Sequence, residues 1–217
     1  MAKQVIILFG APGAGKGTQS SLLAEKLGLY LFETSKILER EFKKTENLPQ
    51  DRRIVEIEGE KFDISKEKEN WQQGILNSPP WVTSIVIKET RRLAGQGENI
   101  IFAGSPRTVY EAERVVPALE ELYGKENIKV ILIEIDAQTT LFRNSHRKIC
   151  ELMRHSILFN KETENLKTCP LDGSNLVVRK DLDTPETIKT RLKEYDQRTL
   201  PMLDYFAKAG IAVHKIN

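Results

Sequence analysis

Five short apolar, β-branched runs punctuate the chain at residues 5–9, 29–32, 99–103, 129–135 and 211–216, and helix-patterned stretches separate most of them. Runs that are apolar at successive positions predict strands buried on both faces. Their alternation with helices predicts an α/β fold, a five-stranded parallel sheet flanked by helices. Apolar spacing at Ile85, Ile87 and Leu93, and again at Val115, Val116, Leu119 and Leu122, predicts helices packed on that sheet. These are core positions, not sites.

Two segments break the rhythm. Residues 35–80 are rich in Lys and Glu, carry no strong strand signal and end in Ser78-Pro-Pro80, which predicts a helical insertion. Residues 150–183 hold Asn160-Lys-Glu-Thr-Glu-Asn165 and the turn signal Leu171-Asp-Gly-Ser174 between charged flanks. They predict a small surface excursion, either a lid or a decorative loop.

The length of 217 residues and the 40% hydrophobic content suit one packed unit with room for small subdomains. Basic residues number 33 and acidic ones 31, a net charge of +2 that gives no reason to expect nucleic-acid binding. No apolar run approaches the ~20 residues of a membrane span, and the first residues lead into a strand without a signal-peptide pattern, so a soluble cytoplasmic protein is expected. Two cysteines, Cys150 and Cys169, are too few for a disulfide framework.

Chemistry enters directly behind the first apolar run, at Gly10-Ala-Pro-Gly-Ala-Gly-Lys-Gly-Thr18. A strand ending in glycines and a lysine, followed by a helix, aims backbone N–H groups and a helix N-terminus at one spot. This predicts a phosphate-binding loop of the P-loop NTPase fold, made of Gly13, Ala14, Gly15, Lys16, Gly17 and Thr18. Lys16 would reach the β- and γ-phosphates of a bound nucleotide, and Thr18 would lie close to Mg2+.

Gly17 stands where the general pattern has Ser or Thr, and with Gln19 the loop resembles that of the adenylate kinase family of nucleoside monophosphate kinases. Downstream motifs extend the resemblance in order: Gly104-Ser-Pro-Arg-Thr108, the pair Arg143 and Arg147, Arg179-Lys-Asp181, Arg191-Leu-Lys-Glu-Tyr195 and Thr199-Leu-Pro201. The resemblance implies a core of 1–33, 83–147 and 184–217, a nucleoside-monophosphate-binding insertion over 34–82 and a lid over 148–183. It nominates Lys16, Arg107, Arg147, Arg179 and Arg191 as catalytic cations, with Arg143 and Arg147 also on ATP. On the acceptor side it nominates Thr34, the residue at position 39, Leu76, Asn77, Gly104, Arg107, position 111, Arg179 and Arg191. Transfer between phosphates needs no strong base, since the attacking oxygen is already anionic. The barrier is charge and alignment, which is why cations fill the set.

Three departures fall on the acceptor and metal sides. Glu39 takes the place of an acceptor-binding arginine, with Arg40 next to it as a candidate substitute. Ala103 replaces an aspartate that helps to hold hydrated Mg2+, and Asp136 is a candidate replacement if it faces the site. Glu111 replaces a glutamine that reads the acceptor base. In the lid, Cys150-Glu-Leu-Met153 and Cys169-Pro-Leu-Asp172 resemble the zinc-binding pairs of some bacterial members. Cys150, Cys169 and Asp172 are then the candidate ligands, with His155 or Met153 as the fourth. The expected function is γ-phosphoryl transfer from ATP to a nucleoside monophosphate, AMP before others, by a monomer with neither membrane nor nucleic-acid partner. The alternatives are a kinase for another nucleoside monophosphate, and a nucleotide-binding protein with weak or no transfer.

Overall fold

The five apolar runs become one parallel sheet. In the computed structural model, which describes residues 3–179 and 183–217, the elements are, in chain order, β1 (Val5–Gly10), α1 (Lys16–Leu27), β2 (Tyr30–Glu33), α2 (Thr34–Thr45), β3 (Ile54–Ile57), β4 (Glu60–Asp63), α3 (Ile64–Gln72), α4 (Pro79–Gly95), β5 (Ile100–Ala103), α5 (Val109–Tyr123), β6 (Ile128–Ile133), α6 (Ala137–Ser145), β7 (Lys148–Cys150), β8 (Ser156–Ile157), β9 (Leu176–Val177), α7 (Pro185–Glu194), α8 (Met202–Lys208) and β10 (Val213–Ile216). The sheet order is β10-β6-β1-β5-β2, all parallel, with β1 in the middle.

All six residues of β1 are buried, as a strand covered on both faces requires. Its side chains alternate between two cores. Val5, Ile7 and Phe9 join Val86, Leu93, Val115, Leu119 and Phe206 from the helices on one face. Ile6 points the other way, toward Leu23 and Ala24 of α1. Ile85, Ile87 and Leu122 pack at the margin of the larger core, as their spacing predicts.

The insertion is not all helical. Its β3 and β4 form an antiparallel hairpin around Glu58 and Gly59, whose φ values of 54° and 83° are those of a tight primed turn. The sequence hid it because the strands are short, and a charged cross-strand pair, Glu56 opposite Lys61, breaks the apolar pattern. Ile57 and Phe62 still reach the main core and tie the hairpin down. A second difference is at β6, which ends at Ile133, two residues before the apolar run does. The chain turns there because Asp136 caps α6, its Oδ1 accepting from Thr139 N at 2.7 Å and its Oδ2 from Thr139 Oγ1 at 2.7 Å. Residues 148–177 carry a small three-stranded sheet in the order β8-β7-β9. Among the described residues no helix is long and apolar enough to cross a membrane.

Parallel strands all end on the same edge, so the loops after β1, β2 and β5 meet there. Such an edge is where open α/β sheets bind ligands.

Candidate active site

The loop after β1 is shaped by glycines at the points of close approach. Gly13 has φ +84°, and a Cβ there would lie 2.5 Å from Asn144 Nδ2. The loop thus rests against the fully buried Asn144 of α6, which accepts from Arg147 Nη2 at 2.6 Å through Oδ1. No side chain caps α1, whose N-cap is Gly15, so its first-turn N–H groups face the edge of the sheet uncapped. Lys16 folds back over the loop, its Nζ donating to Gly10 O at 2.7 Å and Ala11 O at 2.9 Å. Burial pulls its pKa well below the usual lysine value, and Arg107, Arg191 and Arg147 pull it further. Thr18 sits exposed in the same turn.

Three arginines share one carboxylate. Arg179 donates to both oxygens of Asp183, Nε to Oδ2 at 2.9 Å and Nη2 to Oδ1 at 2.6 Å. Arg191 and Arg147 approach the same Oδ1 at 3.6 and 3.9 Å. The Asp183 side chain has no exposure. Burial and the neighbouring guanidinium groups pull Arg191 down to about 9 and Arg147 to about 10. Lys16 and Arg107 join the three arginines around the same space, a grouping of cations that suits polyphosphate oxygens.

Arg107 arrives from the loop after β5. A Cβ on Gly104, at φ +114°, would sit 2.6 Å from Arg107 Nη2, so glycine is what lets the guanidinium fold back over the loop. Thr199 Oγ1 donates to Arg107 O at 2.8 Å from the π-helical turn Tyr195–Thr199, a rare geometry that tends to mark functional sites.

These groups surround an open cavity of about 180 Å3. Lys16, Gly104, Arg107, Arg179 and Arg191 line one part of it; Glu39, Trp71, Leu76 and Asn77 line another. Leu76 N donates to Glu194 Oε2 at 3.0 Å, and Asn77 Nδ2 donates to Glu67 O at 2.6 Å, which fixes the backbone of that stretch.

Not every expected residue faces the cavity. Thr34 is buried and donates to Ser105 Oγ at 3.0 Å, leaving Ser35 to line the space. Arg40 is exposed and opens onto a separate groove with Lys36 and Lys43. Arg143 is exposed on α6. Asp136 is spent as a helix cap, so it does not replace the carboxylate missing at Ala103. Glu111 likewise serves the start of α5: Oε2 accepts from Arg107 N at 3.0 Å and Oε1 from Thr108 Oγ1 at 3.2 Å. Burial raises its pKa. Lys180 and Asp181, part of the Arg179 motif, lie outside the described residues. Asn144, Asp183, Glu194 and Trp71 were missed from sequence. The i, i+4 spacings of Arg179 with Asp183 and of Glu194 with Arg198 are the signals the sequence carries.

Residues 148–177 carry their own cluster. The ligand atoms of Cys150, His155 and Cys169 lie within 4.8 Å of one another, and Asp172 Oδ2 accepts from Cys150 Sγ at 3.0 Å. Backbone N–H groups of Met153 and Leu171 donate to the two sulfurs, at 3.1 and 3.4 Å. The Met153 side chain is not in the cluster, since the residue is 64% exposed. Cys150 and Ser174 hydrogen bonds hold the Asp172 carboxyl well below the usual range, and burial pushes the Cys169 thiol up. Both thiols are free. Two thiols and an imidazole are donors that suit Zn2+, and the Asp172 carboxylate touches one of the thiols.

A family model described as adenylate kinase matches residues 8–211, from the middle of β1 to the approach to β10. The chain belongs to the adenylate kinase family. It is 31% identical to the adenylate kinase of Caldicellulosiruptor bescii over 96% of this chain and 89% of that one. It is 32% identical to that of Oceanobacillus iheyensis over 98% and 90%, and 31% identical to that of Mycoplasma capricolum over 93% and 85%. The adenylate kinase match spans the loop after β1, the arginine cluster and the three-stranded unit together.

Proposed function

We infer that the protein transfers the γ-phosphoryl group of ATP to AMP, giving two ADP. The observation that carries this is the convergence of Lys16, Arg107, Arg179 and Arg191 on one cavity that continues to Trp71, Leu76 and Asn77. One end suits a polyphosphate and the other a base.

ATP phosphates take the uncapped N-terminus of α1, and Lys16 exchanges two loop carbonyls for phosphate oxygens. Arg143 and Arg147 belong to the donor nucleotide. Arg107, Arg179 and Arg191 lie toward the junction, where they hold the acceptor phosphate in line and spread the charge of the transferring group. The acceptor oxygen attacks the γ-phosphorus as the bond to the β-phosphate oxygen breaks, and ADP leaves. Mg2+ accompanies ATP, with the Thr18 hydroxyl as the chain's own candidate ligand. The cavity carboxylates Glu39 and Glu194 are engaged by Arg154 at 3.7 Å and by Leu76 N and Arg198. Mg2+ that keeps its waters and phosphate oxygens needs no more than this. The segments 34–82 and 148–183 act as the acceptor-binding insertion and the lid, closing over the nucleotides to exclude water. One chain supplies both halves of the site, so a monomer suffices.

The case for another acceptor rested on Glu111, and its carboxylate is committed to the start of α5. A coupled assay with Mg-ATP and each of AMP, CMP, UMP and GMP tests the reading. AMP is expected to give the highest kcat/KM; no turnover with any acceptor, alongside measurable ATP binding, would sink it.

Cys150, His155, Cys169 and Asp172 are assigned to a structural zinc that holds the lid strands. Metal analysis of the purified protein should find about one zinc per chain, with most of it lost in Cys169→Ser. Equal metal content in both proteins would remove the assignment.

A further inference from the structure

Glu39 poses a problem that the rest of the site does not solve. It brings a carboxylate from α2 into the cavity that must accept anionic phosphates. The cations of its own helix do not help, because Lys36, Arg40 and Lys43 open onto the separate groove. Glu39 and Arg154 are the residues common to both spaces, and they form the wall between them. Arg154 Nη2 lies 3.7 Å from Glu39 Oε1, across the gap between the lid and the insertion.

The backbone at Arg154 is unusual. Its φ is +61°, a left-handed conformation that an arginine adopts only when its surroundings impose it. Two hydrogen bonds do so: Arg154 N donates to Cys150 O at 3.0 Å, and Cys150 N donates to His155 O at 2.9 Å. The turn between two members of the lid cluster thus presents this side chain toward α2. The ion pair itself is half-exposed, and such pairs contribute little to stability, so holding the fold together is a poor reason for it. A guanidinium has five donors, and a single carboxylate at this distance leaves most of them for another anion.

We propose that Arg154 is an acceptor-binding residue, delivered by the lid and oriented by Glu39, which takes one phosphate oxygen of the acceptor nucleotide. Glu39 then serves as the docking point for a cation that arrives only when the lid closes. The acceptor site is complete only in the closed enzyme, which couples acceptor capture to exclusion of water.

This rests on the nucleotide-kinase reading above, and the test separates the two. Arg154→Asn removes the charge while keeping a residue that tolerates left-handed backbone. Steady-state kinetics of the full chain, with the acceptor the wild type uses best, should show acceptor KM raised at least about tenfold. The KM for ATP should stay within about twofold, and Arg154→Lys should recover part of the loss. An unchanged acceptor KM, or equal rises for acceptor and ATP, would overturn the inference while leaving the kinase reading intact. A wild type that turns over no acceptor would remove both. Circular dichroism and zinc content of both variants, equal to wild type, would assign the change to the lost charge; if Arg154→Asn lost its zinc or fold, Arg154→Gly, which suits left-handed backbone, takes its place with the same two outcomes.

Discussion

Lys16→Met is expected to lower kcat by about 10^3-fold, roughly 4 kcal/mol of transition-state stabilisation. Methionine keeps the length of the stem and removes only the ammonium. That ammonium is worth most where charge develops on the transferring phosphoryl group, in a site shielded from water. It is worth little to the fold. Without nucleotide it is buried beside Arg107, Arg191 and Arg147, and that crowding pulls its pKa down. Removing it relieves repulsion at the cost of two hydrogen bonds to loop carbonyls. Thermal melting of the variant should therefore match or exceed that of the wild type. A kcat within tenfold of wild type would show that the loop does not hold the reacting phosphates.

Asp183→Ala should do the opposite, acting on the fold first. The carboxylate has no exposure and is the common partner of Arg179, Arg191 and Arg147. Its removal leaves three partly buried guanidinium groups without their common carboxylate. Breaking a buried pair in this way costs about 3–5 kcal/mol, which in a chain of this size lowers Tm by about 6–20 °C. An anion can stand in for the lost charge. Pyrophosphate or ATP should accordingly raise the Tm of the variant more than that of the wild type, since ligand that binds only the folded state stabilises it. A drop of less than about 2 °C would mean that the cluster does not depend on its carboxylate.

Much of the site was legible because phosphate chemistry writes itself into short, local patterns. Gly13 and Gly104 are where the chain must bend beside Asn144 and Arg107, and such bends are read as glycines in sequence. The arginines were legible only as a set, from the order in which they recur. The polar residues that position them were not. Asn144 and Asp183 look like any surface Asn and Asp until packing buries both. Glu111 and Asp136 looked like site carboxylates, yet each is spent on a helix N-terminus, a competing use for the same side chain. The hairpin of the insertion was lost because short strands with a charged cross-strand pair carry no clear period of two.

The parallel sheet and the family follow from the order of residues alone, because buried strands, glycine bends and motif order are properties of neighbouring residues. Only the tertiary structure decided which charges meet. Three arginines, from the end of the core segment before β7, from the stretch after β9 and from α7, find one aspartate, and Arg154 meets Glu39 from far along the chain. Coulomb energy depends on distance and burial, not on order along the chain. Whether Glu39 repels the acceptor or docks a second cation for it is therefore set by the approach of the lid to α2.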